Sequence, residues 1–293
     1  MSRILVTGAG GQIGRDLLAA ETPAGIEFVG LDRSRLDITQ EDTVAAALEA
    51  WQPAAVINCA AYTAVDRAEA EEGAAFAVNR DGAGSLARQC ARRGIALLHF
   101  STDYVFDGRA TRPYREDDPV APLSAYGRSK AAGERAVLEV GARALVLRTG
   151  WVFGRHGGNF VKTMLRLGAE RTELRIVSDQ IGGPTPAAAV ARHAVTLAGC
   201  LIEGRALPAI LHAGGGPSVS WFGFAEAIFA AAVSRGRAVP RLAPIGTAEY
   251  PTPARRPAWS VLDDGAWRGL GLPPIMWQDD LEALVGAVLE GET

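Results

Sequence analysis

Apolar and polar residues follow two rhythms along the first half of the chain. Short, almost continuous apolar runs occur at residues 3–7, 26–31, 54–58, 95–100 and 142–147. Runs of that length and composition are what strands buried on both faces require. Between them lie stretches with helical spacing: 13–20, 43–51, a longer one over 71–93 interrupted near Gly82 and Gly84, and one opening after Ser124, a residue suited to cap a helix. Alternation of strand and helix over residues 3–149 predicts an α/β, Rossmann-type, doubly wound parallel sheet.

Beyond residue 149 the rhythm loosens. Gly154, Gly157, Gly158, Gly182, Gly183, Pro184, Pro186 and the run Gly214-Gly-Gly216 mark long loops. Helices are predicted at 160–167, 187–202, 222–234 and 279–289, and residues 250–257 form an irregular basic segment. The pattern divides the chain into a dinucleotide-binding domain, 1–150, and a smaller mixed α/β C-terminal substrate lobe, 151–293. The two are expected to interleave, with part of 185–215 returning to the first.

Chemistry collects at one edge of the predicted sheet. The first strand runs into Gly8-Ala-Gly-Gly-Gln-Ile-Gly14, and a helix follows. Glycines at 8, 11 and 14 allow a tight turn, close approach of backbone to a pyrophosphate and close helix–strand packing. The helix N-terminus adds free N–H groups and a positive dipole end. The second strand ends at Asp32, where an acid would take ribose hydroxyls and favour NAD; Arg33, next to it, would accept the extra phosphate of NADP. Both readings stay open, as does a solvated Arg33. Cys59-Ala-Ala61, Ser101-Thr102 and Arg148-Thr149 fall at the carboxyl ends of other strands, where such sheets bind ligands.

Tyr126 and Lys130 stand four residues apart, on one face of the helix that follows Ser124. An ammonium near a phenol favours the phenolate and lowers a pKa that starts near ~10. A phenol so tuned can exchange a proton with a carbonyl or an alcohol. Pairs of this spacing also occur on ordinary amphipathic surfaces. Of 30 basic residues, however, only Lys130 and Lys162 are lysine, so the chain keeps its tunable cations for two places.

Composition narrows the classes. At 293 residues, 48% hydrophobic and 22% charged, the chain can bury a substantial core. A net charge of -3 without a basic block argues against a nucleic-acid surface. Cys59, Cys90 and Cys200 are scattered, as buried thiols of a reducing compartment are. His99, His156, His193 and His212 show no metal-ligand spacing. With no signal-peptide shape at the N-terminus and no membrane-spanning run, the expectation is a cytoplasmic protein.

Longer blocks then sharpen the picture. Ala60-Ala-Tyr-Thr-Ala-Val-Asp66, Ser101-Thr-Asp-Tyr-Val-Phe106, Tyr126-Gly-Arg-Ser-Lys-Ala-Ala-Gly-Glu134 and Arg148-Thr-Gly-Trp-Val-Phe153 stand in the first half. Asn159-Phe-Val-Lys-Thr-Met-Leu-Arg-Leu167, Ser178-Asp-Gln-Ile-Gly-Gly-Pro-Thr185 and Tyr250-Pro-Thr-Pro-Ala-Arg-Arg-Pro257 follow. Together they resemble the extended branch of the short-chain dehydrogenase/reductase superfamily, and within it the dTDP-4-dehydrorhamnose reductase family. The resemblance runs from Ile4 to about Leu262.

It implies NADPH- or NADH-dependent reduction of a nucleotide 4-keto sugar. Gly8, Gly11, Gln12 and Ile13 would form the pyrophosphate turn. Asp32 and Arg33 would meet the adenosine ribose, Asp37 and Ile38 the adenine, and Ala60, Ala61 and Thr63 the path to the nicotinamide. Tyr126 would donate the proton, with Lys130 lowering its pKa and holding the nicotinamide ribose. Thr102, counted with these two as catalytic, and Asp103 would touch the sugar near its 4-keto group. Trp151, Asn159 and Arg256 would complete the substrate set. A homodimer is compatible with the resemblance, and a Mg2+ role enters by family analogy only.

Related enzymes that eliminate water carry an acid where this chain has Tyr104, which argues against dehydratase chemistry. The chain departs from the family at Tyr62, Arg67, Arg255 and Trp259, and after Asp263 the likeness is weak. Other readings of the residues stand beside the resemblance. Trp151, Trp221 and Trp259 can be packing residues, Asp103 a turn cap, His99 a core histidine and Asn79 a bridge between strand ends. Arg255 and Arg256 can bind a diphosphate or form a solvated face. The functional alternatives are a reductase or epimerase on another nucleotide sugar, and a binding subunit similar to the regulatory subunit of methionine adenosyltransferase.

Overall fold

The computed structural model describes residues 1–22, 24–141 and 143–291. Five strands, β1 (Ser2–Thr7), β2 (Ile26–Leu31), β3 (Ala55–Asn58), β4 (Ala96–Thr102) and β5 (Ala144–Thr149), join Ile210–His212 in one parallel sheet. Across the sheet the order is Ile210–His212, β5, β4, β3, β1, β2. The start predicted for β5, Ala142, lies outside the described residues. All seven residues of β4 are buried, which is why the sequence there reads as an almost continuous apolar run interrupted by His99. Between β1 and β3 the winding reverses, because β2 lies on one side of β1 and β3 on the other. Ligands of open α/β sheets enter the crevice at the carboxyl ends of such strands.

Helix α1 (Gln12–Ala19) and the helix Ala187–Ile202 cover one face, packing Leu17, Val190, Ala194 and Leu197 against Ile4, Val6 and Ile57. Helix α2 (Glu41–Trp51), with Ala83–Arg92 and Ala125–Leu138, covers the other through Val44, Leu48, Leu86 and Val137. The segment 187–212 thus belongs spatially to the sheet. The interruption expected near Gly82 takes the form of a π-helical turn, Ala77–Gly82, between Glu72–Phe76 and Ala83–Arg92. π-Turns recur where a helix must aim a particular side chain. Here it aims Asn79, whose Oδ1 accepts from the Tyr62 amide at 2.8 Å while Nδ2 donates to the Ser129 hydroxyl at 2.9 Å. Asn79 therefore ties the segment after β3 to the Tyr126 helix.

The second lobe packs Phe160–Glu170, Trp221–Val233 and Gln278–Leu289 around a parallel pair, Glu173–Val177 with Arg241–Ile245. Its core is aromatic and aliphatic, including Phe153, Phe224, Ile228, Trp277 and Leu281. Residues 250–257 form neither helix nor strand, as their prolines dictate. No described helix is long and apolar enough to cross a membrane.

A buried ion pair fixes the Tyr126 helix to the sheet. Arg148 Nε and Nη2 donate to the Glu134 carboxylate at 2.8 and 2.7 Å, and the Phe106 ring lies 5.1 Å from the guanidinium. Both side chains are almost fully excluded from water. Removing one partner of such a pair costs about 3–5 kcal/mol, because the other charge is stranded.

Candidate active site

The glycine turn is built for close approach. Gly8 has φ +62°, a region that side chains other than glycine rarely adopt, and a Cβ there would lie 2.6 Å from the Ala60 amide nitrogen. A Cβ on Gly14 would lie 2.6 Å from the Gly8 carbonyl oxygen. The chain therefore folds back on itself without side chains in the way, and the first N–H groups of α1 face an open cleft. That cleft has a volume of 660 Å³ and is walled by Gly8, Gly11, Gln12, Ile13, Ala61, Thr63, Thr102, Asp103, Tyr126, Lys130 and Trp151. Backbone bared by glycine and a helix N-terminus in an open cleft fit a dinucleotide pyrophosphate.

Tyr126 and Lys130 project from Ala125–Leu138, whose first turn is capped by the Ser124 hydroxyl accepting from the Gly127 amide at 3.1 Å. The expected lowering of the Tyr126 pKa does not occur in this arrangement. Burial pushes the phenol up to about 12; the Thr102 hydroxyl opposes the shift and the nearby Asp103 carboxylate adds to it. Lys130 turns instead to β4, where its Nζ donates to the Phe100 carbonyl at 2.6 Å and stands 3.5 Å from His99 Nε2. Burial brings this lysine down to about 8, against the pull of Glu134 and Cys59. Desolvation thus outweighs the effect that the helical spacing of the pair predicts.

Thr102 closes β4 and caps the short turn Asp103–Val105: its Oγ1 accepts from the Tyr104 amide at 3.2 Å and donates to Asp103 Oδ1 at 3.0 Å. Asp103 is 2% exposed, and burial lifts its carboxyl to about 6, countered by the Ser260 and Thr102 hydroxyls. Its Oδ2 nevertheless lacks a hydrogen bond of good geometry. Tyr104 sets its ring edge-on to Tyr126, centroids 6.1 Å apart.

Trp151 has φ +50°, unusual for a bulky residue and worth roughly 1–3 kcal/mol of strain. Its indole stacks on Trp221 with centroids 3.4 Å apart and planes 2° from parallel. Trp221 also lines a second cavity of 670 Å³, together with Phe160, Met164, Arg175, Gln180, Tyr250 and Arg256. The two cavities therefore adjoin at one tryptophan, which from the sequence alone reads as lobe packing. Its partner lies 70 positions away, beyond the reach of any local pattern.

The remaining expected residues divide. Asp32 accepts from the Ser34 hydroxyl at 2.6 Å and from two backbone amides at the exposed end of β2. Those bonds, the hydroxyl's first, hold its carboxyl below the usual range. Arg33 is 85% exposed and pairs loosely with Asp37 at 3.6 Å. Ile38 buries its side chain in the core against Gly82. Only its backbone remains for an adenine. Ala60 contributes backbone, its amide donating to Asn58 Oδ1 at 3.1 Å. Asn159 lines neither cavity. It caps Phe160–Glu170 and bridges Gln12 Oε1 at 3.1 Å and the Gly154 carbonyl at 2.8 Å, joining the glycine turn to the second lobe. Arg256 lines the second cavity while held by Asp66 through contacts of 3.1 and 2.8 Å. Arg255 is exposed, and Trp259 donates its indole N–H to the Arg112 carbonyl at 2.9 Å. Among the described residues no three His, Cys, Asp or Glu side chains are grouped to hold a metal ion.

Residues 1–289 match the family described as RmlD substrate binding domain. The chain is 46% identical over 287 residues to the dTDP-4-dehydrorhamnose reductase of Aggregatibacter actinomycetemcomitans, covering 96% of this chain and 98% of that one. It is 45% identical to the enzyme of the same name from Burkholderia thailandensis, over 92% of this chain and 94% of the relative. The crystal structure of dTDP-4-dehydrorhamnose reductase from Bacillus anthracis in complex with NADP superposes with a TM-score of 0.90 at 36% identity, covering 97% and 99% of the two chains.

Proposed function

We infer the chemistry of this cleft from one premise: the chain belongs to the dTDP-4-dehydrorhamnose reductase family. It is an oxidoreductase that uses a nicotinamide dinucleotide to reduce the 4-keto group of dTDP-4-dehydro-β-L-rhamnose, giving dTDP-L-rhamnose. The dinucleotide, when bound, supplies the hydride. The protein's work is to orient the keto sugar and deliver one proton to its C4 oxygen.

The observation that carries this reading is the meeting of Tyr126, Lys130 and Thr102 with the glycine turn in one cleft. Tyr126, kept protonated by burial and by Asp103, is in the form a reduction needs. An alkoxide is far more basic than a phenolate, so the transfer runs downhill even from a phenol near 12. Thr102 offers a hydroxyl beside the same oxygen. Lys130, anchored on the Phe100 carbonyl, keeps two further N–H bonds for hydroxyls in the cleft. The stacked Trp151 and Trp221 form a flat wall against which a deoxysugar can lie. The adjoining cavity suits the nucleotide, with Phe160 and Tyr250 as ring surfaces and Arg175 and Arg256 as cations for a diphosphate. Asp32 and Arg33, at the end of β2, would meet the adenosine ribose.

The test is direct. Purified protein is mixed with dTDP-4-dehydro-β-L-rhamnose and NADPH or NADH, and the nicotinamide absorbance is followed. Loss of absorbance with formation of dTDP-L-rhamnose is expected. No oxidation of either dinucleotide would sink the assignment.

A further inference from the structure

His99 is fully buried. Its neighbours fix its proton inventory. Asn58 Oδ1 accepts from the Thr7 hydroxyl at 2.6 Å and from the Ala60 amide at 3.1 Å. The Asn58 amide cannot be turned over without setting its NH2 group against a backbone N–H. Its Nδ2 must therefore face His99 Nδ1, 2.9 Å away, as a donor. A nitrogen that accepts carries no proton, so the neutral imidazole must hold its proton on Nε2. That N–H points at Lys130 Nζ, 3.5 Å away. Two donors face each other while the lysine is an ammonium; once it is an amine, its lone pair can take the histidine N–H.

We propose that Asn58 and His99 are positioning residues for Lys130: by presenting an N–H rather than a lone pair, they stabilise its amine and make it a lysine that gives up a proton during turnover. This rests on Lys130 taking part in the reaction assigned above. When Tyr126 passes its proton to the sugar oxygen, Lys130 gives one up to water in the cleft, and that water returns a proton to the phenolate. The resulting amine accepts the His99 N–H, and it regains a proton from water in the cleft after product departs. No electrons move in these steps and no further reactant is required. The other titratable groups acting on Lys130 are the Cys59 thiol after β3 and the Glu134 carboxylate on its own helix. Glu134 and Cys59 favour the ammonium, and Glu134 is already engaged by Arg148. The depressed lysine and the neutral histidine agree with the geometry.

The scarcity of lysine makes the proposal measurable without turnover. Protein grown with [ε-13C]lysine has only Lys130 and Lys162 to report, and Lys162→Arg assigns them. Lys130 is expected to titrate near pH 8, well below an ordinary lysine. Asn58→Asp inverts the polarity of the network, because a carboxylate accepts from His99 Nδ1 and leaves Nε2 as an acceptor for the ammonium. The Lys130 midpoint should then rise by at least about one pH unit, a tenfold change in its proton affinity. His99→Gln can accept from Asn58 with its oxygen and present N–H to Lys130, so the midpoint should stay near the native value. An unmoved midpoint in Asn58→Asp overturns the proposal. Should that variant fold poorly, 15N spectra of the native protein decide: the Nε2–H tautomer of His99 supports the proposal and the Nδ1–H tautomer overturns it. Neither readout depends on the reductase assay, so failure here and failure of the assigned reaction are separable.

Discussion

Replacing Lys130 with Met should change how the stability of the protein depends on pH. Lys130 is 2% exposed, and burial takes it from an ordinary 10.5 to about 8. That difference corresponds to roughly 3 kcal/mol of disfavour for the ammonium in the fold. Below pH 8 the folded and unfolded chains both hold the proton, and the folded chain bears the full cost. Between about pH 8 and 10.5 the folded chain has lost the proton while the unfolded chain keeps it, so native stability rises with pH. Methionine has a similar length and never ionises. At pH 7 the variant escapes the cost but leaves the Phe100 carbonyl without its donor, a loss of about 1–3 kcal/mol. The two terms nearly cancel there. They do not cancel as pH rises, because the carbonyl does not titrate and His99 remains neutral throughout. Urea unfolding of both proteins at pH 7, 8, 9 and 10, followed by tryptophan fluorescence, should show the native protein gaining on Lys130→Met by roughly 2–3 kcal/mol across that range. A difference that stays flat to within about 0.5 kcal/mol would refute the buried-ammonium argument.

Three other substitutions test separate parts of the cleft. Tyr126→Phe should lower kcat by about 10²–10⁴-fold, the usual contribution of a positioned acid, with the Kd for NADPH unchanged; near-native turnover would remove Tyr126 as the proton donor. Arg33→Ala should raise the KM for NADPH by about tenfold and spare NADH, since one charge-assisted phosphate contact is lost; an unchanged ratio would make Arg33 a surface charge only. Trp221→Ala should raise the KM for the sugar nucleotide by at least about tenfold through the lost stack, while NADPH binding by fluorescence titration stays as it was. Equal loss of both ligands would mean that Trp221 only supports the lobe.

The sheet is legible in the sequence because strands buried on both faces leave almost continuous apolar runs, as in Ala96-Leu-Leu98 of β4. The glycine turn is legible because its geometry excludes side chains at Gly8 and Gly14. What local pattern misses is what distant partners decide. The helix expected to end at 167 continues to Glu170, because Gly168 lies under the Phe229 ring instead of ending the helix. Ile38 turns its side chain inward because the glycine at position 82 leaves room for it. Trp221 joins the cleft through a stack on Trp151 that no spacing rule anticipates. His99 reads as a core histidine and is one, but its importance depends on an amide on β3 and a lysine on a later helix.

The spacing of Tyr126 and Lys130 suggests a phenol made acidic by its neighbour, and burial reverses the sign. A phenol pushed to about 12 stays protonated wherever the fold persists, so its own ionisation cannot set the upper pH limit of a reduction. The group that changes state in the working range is Lys130, at about 8. The alkaline limb of kcat/KM, which reports groups of the protein before substrate binds, should therefore fall near pH 8 and follow the lysine. A plateau reaching pH 10 would take Lys130 out of the proton path and leave it as an anchor alone. The same burial that makes Tyr126 a reluctant acid also makes Lys130 a willing one. On the function proposed above, the two residues would divide the proton transfer between them. The tyrosine would hold the proton where the sugar oxygen needs it, and the lysine would replace it.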